Sequence, residues 1–475
     1  MDKDINRCDN DITPLSQASS SRKPKRELVL CFDGTNNSFR GDGSDSNILK
    51  IFRMLDRTKD DRYCYYQRIT IDDDDDKSFT DLLSLPFGIL DQAAAKSFGH
   101  HVKKGYKFLA RRWTPGSKVY LFGFSRGAYT ARYLNELLDF AGLISADNEE
   151  TIGFVWDSFL QWKFADPGDK RKNAFARLEL CRETMCRPIG LVHFLGLFDT
   201  VNSVSKFVRD VSKDNYVRPS PKIMRHAVSI DERRIKFQPV LFFPPPLEKN
   251  KNTTPRTSEW AMEAEIAMGG ETIEGKAHNG HDAYEEVYFA GDHSDVGGGW
   301  PSDGTPTSQI PLMWMVQEAQ YAGLTFVPMQ LQKHNCFNPH TDHFDRFKEI
   351  MAEAEKAATH DSLNYKFGHA LETLFWRIME YLPYKRPKVA PDGTYRESRW
   401  HGRGLRRPLP PMARIHGSAV RRLNWDPNYK PYNLGMGNKQ SEMTDWTYVG
   451  HSRRDMHGNE LRDTGGGTQR MDTSV

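Results

Sequence analysis

Cysteine pairs, long apolar runs and an excess of charge are all missing from this chain of 475 residues. The six cysteines form no C-x-x-C pair, which argues against a zinc ribbon or a disulfide framework and indicates free thiols in a reducing compartment. No apolar run approaches the roughly 18 residues that span a bilayer, and the polar N-terminus lacks the apolar core of a secretory signal. We therefore expect a cytoplasmic protein that is soluble or at most peripheral on a membrane.

The charge is almost balanced. The chain holds 66 Lys and Arg against 63 Asp and Glu, a net charge of +3 at pH 7. That balance gives no general attraction to nucleic acid or to an anionic membrane, so we expect no nucleic-acid partner. Hydrophobic residues make up only 38% of the chain, which predicts polar tails and loops around an ordinary core.

The polar segments lie mainly at the two ends. Residues 1–26 are rich in Ser and Lys and residues 438–475 are polar and rich in Gly, so both tails are predicted to be disordered. The length between them, 27–437, suits one large domain with insertions. Those insertions are predicted at about 72–100, 150–187, 244–282 and 330–410.

Short continuous apolar runs indicate buried strands, and helical periodicity indicates the helices between them. The pattern predicts an α/β fold with a mostly parallel sheet, flanking helices and helical insertions. Strands are predicted at Leu28–Phe32, Tyr63–Ile71, Val119–Phe122, Ile189–Phe198, Lys236–Phe243 and Glu286–Ala290. Helices are predicted at 48–55 (capped by Asp45 or Ser46), 101–112, 152–164, 225–230, 310–322 and most of 359–386, with an exposed helical excursion at 166–187.

One stretch predicts a strand, a sharp turn and a helix with a serine at its apex. Gly123 to Gly127 reads GFSRG, the G-x-S-x-G nucleophile elbow of α/β-hydrolases. In such an elbow Ser125 occupies a strained turn, and a side chain at either glycine would collide with the crossing strand or helix. The alternative is a serine between glycines in an ordinary turn between strand and helix.

Three predicted strands end in residues that suit nucleophilic catalysis. They are Ser125, Asp199 and His293, in the order nucleophile, acid, base that α/β-hydrolases use. A serine hydroxyl is a weak nucleophile at neutral pH, so a base must take its proton and an acid must orient that base. His293 is one of 16 histidines, and the rivals of Asp199 are Asp33, Asp231, Asp292 and Asp295.

An oxyanion hole needs two N–H donors near the nucleophile. The backbone N–H of Arg126 is one candidate, and Gly34 or Thr35, in the loop after the first strand, is the other. Asp33 in the same loop is a supporting residue that could cap the loop, orient the site or bind a cation. Asp295 is a second supporting residue, and no cofactor is expected.

A metal site is the competing interpretation. Asp292, His293 and Asp295 could hold a divalent ion together with Asp33, although this leaves the serine elbow unexplained. The run Asp72–Asp76 is interpreted as a solvated loop, since adjacent carboxylates lack the spacing of a calcium loop.

Three apolar stretches suit an acyl pocket or a lid, with ordinary core packing as the simpler interpretation of each. They are Leu82–Leu90, Phe154–Phe164 and Leu374–Leu382. The last is followed by Lys385 and Arg386, so its aromatic residues could rest on a membrane interface.

Several motifs occur together and in order, and jointly they resemble one family. They are FDGTNN at 32–37, GFSRGAYTAR at 123–132, LGLFDTV at 195–201, HAVSIDERR at 226–234, GDHSDVGGGW at 291–300 and IHGSAVRR at 415–422. This combination is similar to the catalytic domain of type VI secretion lipase effectors, over about 27–434. The resemblance implies an α/β-hydrolase fold and a serine esterase, because the bacterial effectors are phospholipases of the A type. It places their Ser, Asp and His on Ser125, Asp199 and His293.

The chain departs from that family in two places. The aspartate run Asp72–Asp76 stands where such domains carry a glycine-rich turn, and the tails carry no recognisable secretion or membrane-insertion module. The leading hypothesis is a serine-dependent carboxylic ester hydrolase, phospholipase-like, with a lipid ester as substrate. The alternatives are a non-catalytic binding or scaffold protein on the same fold and the metal-dependent hydrolase.

Overall fold

A computed structural model describes most of the chain. The described residues are 26–35, 43–69, 87–166, 168–201, 220–242, 283–301, 303–337, 343–367, 370–381, 386–389, 395–398, 404–410, 413–434 and 446–449. The aspartate run, the predicted insertion at 244–282 and most of the tails lie outside these residues, and so do the side chains of the stretch Leu82–Leu90.

Strands and helices alternate along the described chain as far as residue 144, and beyond it they occur in groups. The strands are β1 Glu27–Thr35, β2 Arg62–Ile69, β3 Lys118–Phe124, β4 Leu143–Ile144, β5 Cys186–Arg187, β6 Phe194–Phe198, β7 Ile223–Ser229, β8 Tyr284–Phe289, β9 Arg386–Val389, β10 Tyr395–Ser398, β11 Ala413–His416 and β12 Trp446–Val449. The helices are α1 Asn47–Met54, α2 Phe87–Arg112, α3 Arg126–Ala141, α4 Ile152–Lys163, α5 Asp169–Met185, α6 His293–Gly297, α7 Gln309–Tyr321, α8 Pro328–Lys333, α9 Phe344–Lys356, α10 Ala370–Met379 and α11 Gly417–Trp425.

Eight strands form one central sheet in the order β12-β11-β8-β7-β6-β3-β1-β2. Each neighbouring pair in it runs parallel, so the predicted α/β fold with a parallel sheet and flanking helices is confirmed. β2 lies on one side of β1 and β3 on the other, so the chain changes direction across the sheet at β1. A parallel sheet opens a crevice at the carboxyl ends of its strands at such a point.

β1 shows why the sheet is covered on both faces. Its side chains alternate between two cores, because successive residues of a strand point to opposite faces. Leu28, Leu30 and Phe32 pack with residues of α2, α3 and α4. Val29 and Cys31 pack with residues of α1, α7 and α9. A strand buried on both faces reads as a continuous apolar run, and this is the pattern that predicted it.

The helix predicted at 48–55 is confirmed as α1. Its cap is Ser46, whose side chain accepts a hydrogen bond from the backbone N–H of Leu49. The predicted helix at 101–112 is the second half of α2, which begins earlier, at Phe87. The stretch Phe154–Phe164 forms most of α4, and its apolar side chains are mainly core, since Phe159 and Trp162 are buried and Phe154 is its one exposed large apolar side chain.

The helix predicted at 225–230 is wrong. Residues 223–229 form β7, which pairs in parallel with β6 on one side and β8 on the other. Six of its seven residues are buried. Two ladders of backbone hydrogen bonds and burial on both faces therefore decide the structure of a run too short to show a period.

The strand predicted at Lys236–Phe243 is absent from its described part, which ends at Phe242. A 3-10 turn spans Ile235–Phe237, and after it Pro239 makes an isolated antiparallel bridge to Val201. Two carbonyls that a strand would pair are used by side chains instead. The carbonyl of Phe237 accepts from Arg407, and that of Val240 accepts from Arg132.

The long helix predicted within 359–386 is much shorter. Among the described residues of the range 359–386, only α10, Ala370–Met379, is helical. Before it, Asp361 accepts from the N–H of Leu363 and Asn364 accepts from that of Lys366, and such side-chain bonds stabilise turns instead of a helix.

Disorder is wrongly predicted for one segment of the C-terminal tail. Residues 446–449 form β12, which pairs in parallel with β11 at the edge of the sheet. The indole N–H of Trp446 donates to the carbonyl of Leu434 at 3.4 Å. No helix within the described ranges is long and apolar enough to cross a bilayer.

Candidate active site

Ser125 lies between β3 and α3, at the crevice beside β1. Its φ of 58° is positive, and a positive φ is costly for a residue with a side chain. The turn is held by the backbone: the N–H of Ser125 donates to the carbonyl of Phe198 at 3.0 Å, and its own carbonyl accepts from Val201 at 3.4 Å. The chain therefore turns sharply here and presents the serine at the end of the strand.

The two glycines of the elbow have a steric cause, as predicted. A Cβ on Gly123 would lie 2.4 Å from the Cα of Ala128 in α3. A Cβ on Gly127 would lie 2.2 Å from the carbonyl oxygen of Phe32 in β1. Both obstacles are backbone atoms, which cannot swing away, so only glycine fits at either position.

His293 brings an imidazole to the serine. It is the first residue of α6, and its Nε2 lies 2.8 Å from the Oγ of Ser125. Its Nδ1 lies 2.5 Å from Oδ2 of Asp199. With the proton on Nδ1, the imidazole donates to the carboxylate and accepts from the hydroxyl, so this tautomer satisfies both contacts.

Asp199 is fully buried and follows β6 directly. Its Oδ1 accepts from the N–H of Ser229 at 3.0 Å and from Nη1 of Arg407 at 2.6 Å. Its Oδ2 accepts from Nη2 of Arg407 at 2.9 Å in addition to His293. Burial alone raises the pKa of Asp199, but the charge of Arg407 and the bond to His293 outweigh it and hold the pKa far below its usual range. Asp199 is therefore ionised.

The imidazole of His293 lies between two aromatic rings. Its centroid is 4.7 Å from that of Phe124 and 4.8 Å from that of Phe237. Burial lowers the pKa of His293 below its usual value, and the hydrogen bond to Asp199 only partly offsets this. The imidazole is therefore neutral at pH 7 and can accept a proton.

A capping box holds the first turn of α6. Asp292 accepts from the N–H groups of Ser294 and Asp295, both at 3.0 Å, and Asp295 accepts from the N–H of Asp292 at 3.0 Å. Asp292 also accepts from Trp300 at 3.0 Å, and Asp295 pairs with Nδ1 of His360 at 2.7 Å. Burial, with the nearby charges of Asp295 and then Glu232, raises the pKa of Asp292 to about 7.

Asp33 lies at the end of β1, in the strand next to β3. Its Oδ2 accepts from the hydroxyls of Ser46 at 2.5 Å and Tyr66 at 2.6 Å, and its Oδ1 accepts from the N–H of Gly34 at 2.6 Å. Of the roles predicted for Asp33, these bonds favour holding the loop.

The predicted oxyanion donors lie on two neighbouring strand ends. The N–H of Arg126 is the first of α3, and the first N–H groups of a helix have no acceptor within it. The N–H of Gly34 is bonded to Asp33, so it would have to leave that bond to face a substrate. Thr35 ends β1, where its backbone is placed opposite Ile69.

The predicted metal ligands do not form a cluster. The oxygens of Asp292 and Asp295 are engaged by the hydrogen bonds of the capping box and its neighbours, and Asp33 is held at a different strand end. The described part of the chain holds no group of three or more His, Cys, Asp or Glu side chains arranged for a metal.

Several residues of this neighbourhood were missed by sequence reasoning. Arg407 and Phe237 belong to no local motif. Arg407 comes from a segment far along the chain, and Phe237 lies in a 3-10 turn outside the strands and α-helices. Glu232, whose Oε2 is 3.3 Å from the N–H of His293, is part of the quoted run HAVSIDERR. Because a helix was predicted at 225–230, nothing in the sequence indicated that Glu232 follows a buried strand.

Three comparisons place the chain among known proteins. A family model for "T6SS, Phospholipase effector Tle1-like, catalytic domain" matches residues 26–318, more than half of the chain. "Uncharacterized protein YEL023C" of Saccharomyces cerevisiae is 25% identical over 573 residues, which cover 90% of this chain and 82% of that protein.

Two solved structures are more distant. An uncharacterized protein from Pseudomonas aeruginosa is 19% identical with a TM-score of 0.34; the match covers 74% of this chain but only 51% of that one, so the chain spans about half its length. The Tle1 effector bound to the VgrG spike of the type 6 secretion system is 15% identical with a TM-score of 0.32, over 80% of this chain and 91% of that one. On the family model, this chain belongs to the family of Tle1-like phospholipase effector catalytic domains.

Proposed function

We propose that the protein is a serine-dependent carboxylic ester hydrolase that works through Ser125, His293 and Asp199. The observation that carries the proposal is the continuous hydrogen-bonded chain from Ser125 Oγ to His293 Nε2 (2.8 Å) and from His293 Nδ1 to Asp199 Oδ2 (2.5 Å), at the apex of a strained turn. Membership of a phospholipase family supports a hydrolase of the lipase type.

The reaction follows from these contacts. Ser125 Oγ attacks the ester carbonyl carbon while His293 takes its proton, and Asp199 stabilises the imidazolium that forms. The tetrahedral oxyanion accepts from the N–H of Arg126 and from Gly34 or Thr35, and each such donor contributes roughly 2.7–4 kcal/mol. His293 then protonates the leaving alcohol. Water, deprotonated by the same imidazole, releases the acid from the acyl-enzyme.

The proposed substrate is a lipid ester, with phospholipid as the leading candidate. Beyond the family, support comes from α10, where Leu371, Leu374 and Ile378 are exposed at helical spacing. The same helix carries Trp376, whose ring lies 5.4 Å from that of Phe237, which in turn contacts His293. Trp376 lies on the opposite face of α10 from the three exposed side chains, so the helix rests against the site with one face and exposes apolar side chains with the other. Such an exposed apolar face beside the site suits peripheral contact with a membrane, in the cytoplasm.

The proposal is tested with the purified protein and the Ser125→Ala variant. Nitrophenyl esters of increasing chain length and defined phospholipids are assayed with and without chelator, and labelling by a fluorophosphonate is measured. We expect turnover and labelling of the wild type, loss of both in Ser125→Ala, and no effect of chelator. Ser158→Ala, which alters a buried serine on α4, is the matched control and should retain turnover.

Other outcomes would assign the other functions. Equal turnover by wild type and Ser125→Ala would contradict a serine mechanism, and turnover abolished by chelator would favour the metal-dependent hydrolase. A wild-type protein that neither hydrolyses these esters nor reacts with the fluorophosphonate would be a binding or scaffold protein.

A further inference from the structure

Arg407 is a deeply buried charged group in direct contact with Asp199. Its side chain is only 2% exposed, and both of its terminal nitrogens bond to the two oxygens of Asp199, at 2.6 and 2.9 Å. It comes from the segment 404–410, beyond the residues 26–318 that the family model matches. That segment was predicted to be part of an insertion.

We propose that Arg407 is a positioning residue: it fixes the carboxylate of Asp199 and limits how strongly Asp199 raises the basicity of His293. This inference rests on the proposed function of Ser125, His293 and Asp199. Arg407 touches neither the serine nor the imidazole in the bonds described, so it acts through the residues it holds, chiefly Asp199.

The forked guanidinium of Arg407 sets the orientation of the Asp199 carboxylate. A planar guanidinium that bonds both oxygens of a carboxylate fixes the plane of that carboxylate, which a lysine cannot do. The N–H of Ser229 holds Oδ1 as well. The carboxylate of Asp199 therefore cannot rotate, and Oδ2 stays directed at His293.

Arg407 is itself anchored to the wall of the site. Its Nη1 donates to the hydroxyl of Ser229 at 2.8 Å, and its Nη2 donates to the carbonyl of Phe237. The ring of Phe237 packs against His293 at 4.8 Å between centroids. One side chain thus connects the acid to the residue that covers the base.

The positive charge of Arg407 also affects how tightly the Asp199–His293 pair binds a proton. The charge of Arg407 stabilises the carboxylate without the imidazolium, so the pair binds an added proton less tightly. The other charged groups facing His293 are Glu232 and Arg234, which bond to each other at 2.8 Å, and the acids Asp292 and Asp295 of its own helix. Removing the charge of Arg407 leaves Asp199 with His293 as its sole cationic partner among these groups, so the pair retains its proton to higher pH.

The test compares Arg407→Gln and Arg407→Lys with Arg225→Gln. Arg225 is an equally buried arginine that pairs with Glu318 at 2.5 Å, but it lies at the start of β7, at the opposite end of that strand from Ser229. For each variant the pH dependence of kcat/KM is measured on a short nitrophenyl ester, with the melting temperature. The pKa of His293 is followed by NMR of labelled imidazoles, assigned with His293→Asn.

For Arg407→Gln we expect kcat/KM to fall by up to about 100-fold, the effect of a displacement near 1 Å. Its acidic limb and the pKa of His293 should rise by about one pH unit, the scale of one neighbouring charge. Arg407→Lys keeps the charge and loses the fork, so it should lose rate with a smaller pKa change. Arg225→Gln should lower the melting temperature and leave the pH profile unchanged.

If Arg407→Gln shows the same pH profile and the same pKa of His293 as the wild type, the inference is overturned, because a purely structural arginine would change only the folded fraction. If Arg407→Gln does not fold, a wild-type rate in Arg407→Lys would overturn the positioning by the fork. Failure of the proposed function is distinguishable: the wild type would then show no turnover, while the NMR titration would still report whether Arg407 sets the pKa of His293.

Discussion

Ser125 and Asp199 lie at neighbouring strand ends, yet the protein holds them by different means. Ser125 is fixed by backbone: its N–H and carbonyl bond to Phe198 and Val201, and two glycines within two residues of it let the turn pack closely. Asp199 is fixed by side chains, chiefly by Arg407 from a segment far along the chain. The nucleophile is thus held by backbone contacts, whereas the acid depends on the side chain of a distant residue.

Both positions share one property that sequence spacing does not show directly. The residues other than glycine with positive φ within the described chain are Ser125 (58°), Asp199 (39°) and Asn335 (52°). Two of these three belong to the candidate site. Backbone strain of about 1–3 kcal/mol at each is kept only where the surroundings determine the conformation, and this occurs mainly at functional sites.

The largest effect should come from removing the base that joins the two positions. His293→Gln keeps a polar side chain but cannot take the proton of Ser125, so we expect kcat to fall by on the order of 10⁶-fold. Hydrolysis of a nitrophenyl ester measures it. His360→Gln is the control, because His360 pairs with Asp295 and lies outside the chain of bonds to Ser125. Substantial turnover by His293→Gln would show that another base serves Ser125.

A single added methyl group should disrupt the turn that holds Ser125. Gly127→Ala would place a Cβ 2.2 Å from the carbonyl oxygen of Phe32, and neither backbone can yield. We expect a loss of about 1–3 kcal/mol in the free energy of unfolding, typical of overpacking, and about 100-fold in turnover as Ser125 moves. Urea denaturation and ester hydrolysis measure the two effects.

Gly153→Ala is the matched control for that substitution. Gly153 lies in α4, and a Cβ added there would meet no atom within 4 Å beyond the backbone of its own helix. Because alanine is the better helix former, this variant should gain roughly 0.5–1 kcal/mol. Equal behaviour of the two variants would contradict a steric cause for Gly127.

A pH dependence separates two acids of the site. The pKa of Asp292 is raised to about 7, so its favourable contribution to stability is complete below the unfolded value near 4 and is lost as pH rises towards 7. We expect the melting temperature of Asp292→Asn, relative to wild type, to increase from pH 4.5 to pH 8. Asp199 has a depressed pKa, so its contribution is lost only in strong acid.

Ser117→Ala provides the control for this pH series. Ser117 accepts from the N–H of Thr114 at 3.1 Å and meets no titratable group in the bonds described, so its loss should lower the free energy of unfolding by about 1 kcal/mol at every pH. A constant difference for Asp292→Asn as well would mean that Asp292 keeps an ordinary pKa.

The smallest effect is expected at the side chain next to the nucleophile. Arg126→Ala retains the backbone N–H that we assign to the oxyanion hole, so turnover of a neutral ester should change by less than about tenfold, equivalent to about 1.4 kcal/mol. A loss as large as that of His293→Gln would mean that the guanidinium itself takes part in the reaction.

Sequence alone was sufficient for the local features. The elbow at 123–127 combines a strand, two glycines and a helix within 16 residues, 118–133, so each part is visible beside the others. The strands β1 and β6 were predictable because burial on both faces requires continuous apolar runs.

Features that depend on distant partners could not be predicted. β7 looked helical because six residues carry too little period to show a strand, and its two neighbours decide it. Residues 446–449 read as a polar tail, although β11 supplies them with a ladder. Arg407 had no signal, since its partner Asp199 is 208 positions away.

The position of Arg407 along the chain also determines when the site is completed during synthesis. Synthesis proceeds from the N-terminus and domains fold in that direction. Ser125 emerges first, Asp199 and His293 follow, and the arginine that fixes Asp199 is added after all three. A nascent chain that has passed His293 but not residue 407 carries the nucleophile, the base and the acid, but Asp199 still lacks its bonds to Arg407. On our proposal, full esterase activity therefore appears only after residue 407 has been synthesised and Arg407 has bonded to Asp199.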